Sequence, residues 1–435
     1  MSNANHLVSP KQIAAFELYD RLGSEYLHIG IGIRNKDRLR VEKAWHSLIH
    51  QREILRSLLI YQDSCLYRNV LPMDKEQFQL EFEIVEQGDE LERIVTQRIR
   101  VLNKYPVNNK RLFYGVVYEF EDNYVIILFI NHIIGNTAAL GILKEDFITL
   151  YKDNSAIIQL HSFEDYVLNQ VSRLRKGFLA EYDFHKNKLN AIIPGMVKAN
   201  GLAVDLRDNQ SFINSITVKT FDHRKYFLHT PKKKPEGSVF CQLSSYLMIP
   251  NYRGIKCHKF SLYTVVVASY LKAMNEFYTN GYYFQFLMDY KNSKYALRQI
   301  GDFSGDFYMT NILSVLEGAD LLSKVQMELF KTYKAHAIYN YQMFDIDVGG
   351  LFSNCNMLVN YTPLNVVNED DPVEDLVEIS YDYVRAHNAN FELSVDTNGF
   401  MSYRILFNEQ VHTKSFIDDF NTLWRLNMQS FLTLF

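Results

Sequence analysis

Residues 128 to 143 read LFINHIIGNTAALGIL. An unbroken apolar run ends at Asn131-His132. A polar turn follows at Gly135-Asn136-Thr137, and an apolar pattern of helical spacing then begins. The switch from a continuous apolar run to a 3.6-residue period marks strand, turn and helix in that order. A histidine at the inner end of a buried strand has two readings. It is a core ring satisfied by backbone groups, or it is a base that meets a substrate.

The segments on either side support the strand. Residues 112 to 119, LFYGVVYE, and 124 to 130, YVIILFI, are rich in β-formers, and FEDN between them is a turn. They predict a hairpin. The second run is apolar on both faces, as in a central strand covered on two sides. Residues 138 to 152 predict a helix that buries Leu140, Leu143, Phe147, Leu150 and Tyr151. A second long helical stretch covers about 163 to 190. Upstream, residues 37 to 50 place Leu39, Val41, Ala44, Trp45, Leu48 and Ile49 on one face, with Asn35 or Asp37 as the cap.

Downstream the pattern weakens. Residues 191 to 236 hold Pro194, Gly195, Gly201 and most of the tract PKKKPEG, which predicts a connector and the first irregular strands of a second lobe. Helices are expected again at 262 to 279, 319 to 337 and 413 to 433. Strands are expected at 282 to 288 and 355 to 361, and a hairpin at 391 to 407. Helices and strands mix in both halves, so the fold class is α/β with two lobes.

Composition narrows the function. The chain has 435 residues, 47% of them hydrophobic and 14% aromatic, enough for two or three domains with large cores. The net charge of −4, from 46 basic and 50 acidic residues, gives no footprint for nucleic acid. No apolar run reaches the roughly 18 to 20 residues that span a bilayer. The first ten residues, MSNANHLVSP, lack the pattern of a secretory signal. Cys65, Cys241, Cys257 and Cys355 are scattered, which argues against disulfides and zinc and fits a reducing cytoplasm. Asp302, Ser304 and Asp306 in GDFSGDF have metal-like spacing. Phe303 and Phe307 interrupt the tract, and its glycines do not match a calcium loop, so no metal is expected.

On these residues the chain resembles the condensation domain of non-ribosomal peptide synthetases, within the chloramphenicol-acetyltransferase-like superfamily of acyltransferases. NHIIGNT, 131 to 137, stands where that family has H-H-x-x-x-D-G, and Leu140 and Gly141 match its continuation. SPKQ at 9 to 12 resembles the opening S-x-x-Q motif. QREILRS at 51 to 57 is similar to R-H-E-x-L-R-T and retains Glu53, Leu55 and Arg56. FEDYVLNQ at 163 to 170 resembles Y-x-D-F-A-x-W. IGDF at 300 to 303 is similar to the start of I-G-x-F-V-N-T. MLVNY at 357 to 361 resembles the late F-N-Y strand, and residues 391 to 408 resemble the closing hairpin. The order of these matches over most of the chain is more specific than any one of them.

The resemblance implies two chloramphenicol-acetyltransferase-like lobes, residues 1–176 and 177–435, forming a V-shaped pseudo-dimer with a central tunnel. It implies a free-standing acyltransferase that moves an acyl, aminoacyl or peptidyl group from a phosphopantetheine thioester to an amine or alcohol. The setting would be a cytoplasmic secondary-metabolite pathway such as antibiotic biosynthesis. No cofactor is held permanently; the thioester, on a carrier protein or on coenzyme A, is part of the substrate. Partners are an acyl or peptidyl carrier protein and a small-molecule acceptor, with no nucleic acid and no membrane. The internal pseudo-dimer implies a monomer. PKKKPEG, 231 to 237, is either a solvated loop or a landing site for an acidic carrier protein.

Catalysis falls on His132, the second histidine of the family motif. The motif and tunnel positions are Asn131, Gly135, Asn136, Thr137, Gly301, Asp302, Phe303 and Asn360. Three departures stand out: Asn131 replaces histidine, Asn136 replaces aspartate and Thr137 replaces glycine. In the family the aspartate pairs with an arginine across the lobes; Lys291 and Arg298 are the candidate cations here. Asn136 cannot neutralise a cation, so it is expected to hold the turn by neutral hydrogen bonds, with Gly135 taking any special backbone conformation. Two rival readings stay open. One is a catalytically silent module that binds carrier proteins or recruits a tailoring enzyme. The other is a coenzyme A-dependent O- or N-acyltransferase.

Overall fold

A computed structural model describes residues 5–9, 12, 13, 15, 16, 19, 24–63, 65–74, 76–86, 90–158, 161–170, 172, 173, 240–250, 259–277, 283–289, 294–296, 298–310, 316–334, 357–363, 389–395, 398–409 and 412–434. PKKKPEG, Lys291, the connector 191–236 and the 176/177 boundary lie outside these residues.

The N-terminal half is built on a four-stranded sheet. Strands β2 (Tyr26–Ile33), β7 (Tyr124–Asn131), β6 (Phe113–Glu119) and β5 (Glu81–Ile84) lie in that order. β7 is antiparallel to both of its neighbours, β2 and β6, and β5 runs parallel to β6. β7 is apolar on both faces because each face meets its own core. Ile126, Leu128 and Ile130 join the large cluster that contains Trp45, Leu48, Leu143 and Phe147. Ile127 and Phe129 join a smaller cluster with Leu91, Val95 and Ile99. Those three residues repeat every fourth position of α2 (Glu90–Leu102), a helix that the sequence analysis passed over.

Helix α1 (Arg38–Gln51) starts where Asp37 accepts the amide of Arg40 at 3.0 Å, so Asp37 is the cap. It packs on α3 (Thr137–Lys152) over the sheet. A 3₁₀ turn (Glu53–Arg56) leads into the hairpin β3 (Ser57–Gln62) and β4 (Cys65–Val70), to which β1 (Asn5–His6) adds a third strand. Residues 163–170 are helical, as expected; past Gln170, only residues 172 and 173 of the stretch expected to reach 190 are described.

The C-terminal half carries a six-stranded sheet. Its order is β10 (Ser304–Thr310), β9 (Tyr283–Asp289), β11 (Met357–Pro363), β12 (Ala389–Val395), β13 (Phe400–Asn408) and β8 (Phe240–Met248). β11 is parallel to both neighbours and the other pairs are antiparallel. Helices α4 (Leu262–Asn275), α5 (Gly318–Lys334) and α6 (Lys414–Leu432) share one core with it, centred on Tyr270, Phe391, Phe420 and Trp424. The expected helices and strands of this half are present within a few residues. Two strands were not expected: β8, and β10, which is paired residue for residue with β9. No helix of the described residues is long and apolar enough to cross a membrane.

One segment leaves the C-terminal half and packs on the other. Between β9 and β10, Ala296, Ile300 and Phe303 are buried in the N-terminal core. Phe303 meets the Tyr166 ring edge-on at 4.8 Å, and Gln299 donates to the carbonyls of His161 and Ser162. This crossing brings the IGDF residues to the end of β7.

Candidate active site

β7 ends at Asn131, which is fully buried and paired with Tyr26 on β2. The Asn131 side-chain oxygen accepts the amide of Ile133 at 3.1 Å, turning the chain sharply after His132. The His132 amide donates to the Glu25 carbonyl at 2.7 Å. The backbone on both sides of the ring is thus fixed by the neighbouring strand, as an oriented base requires. The ring stacks on Tyr19 with centroids 6.3 Å apart, and the Tyr19 hydroxyl donates to the Glu25 carboxylate.

The turn closes on α3. Asn136, in extended backbone, caps the helix: its side-chain oxygen accepts the Ala139 amide at 3.1 Å. Gly135 does not take a left-handed conformation. Its missing side chain answers a close approach instead, since a Cβ there would lie 2.5 Å from the Ile130 Cδ1 atom. Thr137 is the first residue of α3 and is exposed, so a β-branched side chain meets no steric barrier.

The cross-half ion pair is present at another place. Arg298 does not face Asn136. Its guanidinium binds Asp146 and Glu145 on α3, each at 2.9 Å. Asp146 is fully buried and also takes Arg52, at 2.5 Å, and the Arg298 carbonyl accepts a hydrogen bond from Arg52. Burial pushes the Asp146 carboxyl upward and the two guanidinium groups hold it back. The ion pair between the halves thus sits on the third turn of α3 and not at the motif turn. Arg298 has a φ of +54°, a left-handed backbone that its three contacts hold.

At the other end of the crossing segment, Asp302 reaches His132. The Asp302 Oδ2 lies 3.6 Å from Nδ1 of the imidazole, and the carboxylate is almost fully buried while a quarter of the histidine side chain is exposed. The other carboxylate oxygen accepts both the amide and the hydroxyl of Ser304. Gly301, just before it, leaves room for the Phe303 ring, which a Cβ would meet at 2.7 Å. Asn360 sits in β11, in register with Glu392 of the C-terminal sheet.

The structure therefore brings together Asn131, His132, Gly135, Asn136 and Thr137 at one turn, and Asp302 beside them. Sequence reasoning had both His132 and Asp302 but did not pair them; it missed Tyr19 and Glu25, and it named Ser304 only for its metal-like spacing. One signal was available for Ser304: a serine two residues after an aspartate is a common local hydrogen-bonding pair.

Comparison with known proteins fits this geometry. The family described as "Condensation domain" matches residues 4–194. The fold is similar to that of VibH, a non-ribosomal peptide synthetase condensation enzyme, with a TM-score of 0.71 at 10% identity over 98% of this chain and 96% of that one. It is also similar to the epimerization domain of the third module of tyrocidine synthetase B, with a TM-score of 0.69 at 11% identity over 99% and 98%. The X-domain from teicoplanin biosynthesis, in its complex with OxyB, gives a TM-score of 0.67 at 12% identity over 99% and 94%. The search of curated proteins found no match. The condensation-domain family model thus matches residues 4–194, and the fold is similar to that of condensation-domain structures over nearly the whole chain.

Proposed function

We propose that the protein is an acyltransferase that moves an acyl, aminoacyl or peptidyl group from a phosphopantetheine thioester, borne by a carrier protein, to an amine or alcohol. Its setting is a cytoplasmic secondary-metabolite pathway. The observation that carries this reading is His132. It stands at the end of a rigid strand, its backbone is held by Glu25, and its ring is partly open. In the reaction the acceptor N–H or O–H gives its proton to the imidazole as its heteroatom bonds to the thioester carbonyl. The C–S bond then breaks, and the thiolate takes the proton back. No bond to the enzyme forms and the protons balance. Phosphopantetheine or coenzyme A belongs to the substrate.

A second reading is favoured by one set of observations. Asn131, Asn136 and Thr137 depart from the family motif, and an X-domain with the same fold is known in complex with OxyB. On that reading the chain binds carrier proteins or recruits a tailoring enzyme and performs no chemistry. Intact-mass analysis separates the two. Alanyl- and octanoyl-loaded carrier protein, and the same thioesters of coenzyme A, are incubated with a panel of amines and alcohols. Acyl loss to an acceptor that needs the protein supports transfer; carrier binding with no acyl loss supports the silent module.

A further inference from the structure

The motif turn has lost the family's acidic residue, and a different carboxylate stands beside the histidine. Nδ1 of His132 is buried and makes no hydrogen bond at the distances in the structure. Among the described residues the acidic oxygen beside it is Oδ2 of Asp302, at 3.6 Å, delivered from the other half of the molecule by the segment that crosses between β9 and β10. That carboxylate is not a loose surface group. It is almost fully buried, and Ser304 holds its Oδ1 with both an amide and a hydroxyl. Two hydrogen bonds on one oxygen fix the direction of the other. A shift of roughly 0.4 to 0.9 Å turns the 3.6 Å approach into an ordinary hydrogen bond.

We propose that Asp302 is a positioning residue for His132. Its Oδ2 accepts the Nδ1 proton of the neutral imidazole, which leaves Nε2 unprotonated as the base. The inference rests on the reading of His132 as the base of an acyl transfer. The physical reason is the tautomer. A neutral imidazole carries one proton on either nitrogen, and the acceptor beside Nδ1 decides which. A carboxylate there also favours the imidazolium that exists while the proton is in transit. The other groups at the ring do not duplicate this role. Tyr19 stacks on the ring face and spends its hydroxyl proton on the Glu25 carboxylate. Glu25 meets His132 through its backbone carbonyl and the histidine amide.

Asp302→Asn is the discriminating change. An asparagine side-chain oxygen can keep both Ser304 bonds, so the amide nitrogen would take the place of Oδ2. That nitrogen donates, which forces Nδ1 to accept and moves the proton to Nε2. The tautomer is read by ¹⁵N chemical shifts of histidine-labelled protein, with the His132 signals assigned by their loss in His132→Gln. Wild type is expected to carry the proton on Nδ1, and Asp302→Asn on Nε2. With alanyl- and octanoyl-loaded carrier protein, kcat should fall about 10²-fold with KM changed little, because binding surfaces are untouched.

A wild-type ring protonated on Nε2 overturns the proposal, whether or not Asp302→Asn folds. An Asp302→Asn protein with unchanged tautomer and unchanged kcat overturns it as well. The two readings fail separately. If His132→Ala is inactive while Asp302→Asn keeps full activity and the wild-type tautomer, the positioning role alone is wrong. If His132→Ala is fully active, the reading of His132 as the base is wrong, while the tautomer measurement still decides the pairing.

Discussion

Asparagine at 131 and at 136 does work that the family's charged residues need not share. Asn131 bends the chain after β7 by taking the Ile133 amide, and Asn136 starts α3 by taking the Ala139 amide. In each, the oxygen of a neutral side chain accepts a backbone amide. Asn136→Ala should therefore cost about 1 kcal/mol, the usual worth of a helix cap, measured by urea denaturation. No loss of stability would mean that the cap is not needed. Gly135 makes a separate, steric demand. Gly135→Ala drives a Cβ into Ile130 and should destabilise by about 1 to 3 kcal/mol. Ile130→Val removes the clashing methyl, so the double variant should recover part of that loss. Equal melting of the single and double variants would show that the turn yields elsewhere.

The elements show which signals a sequence carries. β6, β7, α1 and α3 were legible because each couples a clear period to a clear boundary: FEDN between the strands, Asp37 at a cap, Asn136 at another. α2 was legible in principle from Leu91, Val95 and Ile99, and the two-faced burial of β7 required something to cover its odd-numbered residues. Strand β10 was hidden because glycine and acidic residues in GDFSGDF weaken any β pattern; pairing with β9 overrides that weak propensity. β2 adds a measurable consequence of burial. Desolvation lowers the His28 imidazole to about 4. The folded state then resists protonation that the unfolded chain accepts below about 6.5, so stability rises with pH through this window. Between pH 7 and pH 4 the wild type should lose about 3 kcal/mol more than His28→Leu. Parallel losses in the two proteins would exclude His28 as an acid-sensitive group.

At the scale of the whole molecule, the segment between β9 and β10 joins the halves. No single stretch announces this, because Arg298 and Asp302 meet partners that lie 152 to 246 residues away in the chain. Asp146 is the strongest point of the joint. Asp146→Ala strands a buried Arg52 and should cost about 3 to 5 kcal/mol, whereas Arg298→Ala, whose side chain is half exposed, should cost much less. Thermal melts that rank the two variants the other way would contradict this account of the joint. The order of motifs made the resemblance legible, while the Arg298–Asp146 ion pair and the meeting of Asp302 with His132 depend on how the halves pack. The central claim concerns that meeting place. Its most direct measurement is the rate at which an octanoyl- or alanyl-loaded carrier protein loses its acyl group to an amine or alcohol, compared between wild type and His132→Ala by intact mass. The account predicts a fall of about 10²- to 10⁴-fold in a variant that still folds. A folded His132→Ala protein that transfers acyl groups at the wild-type rate would contradict it.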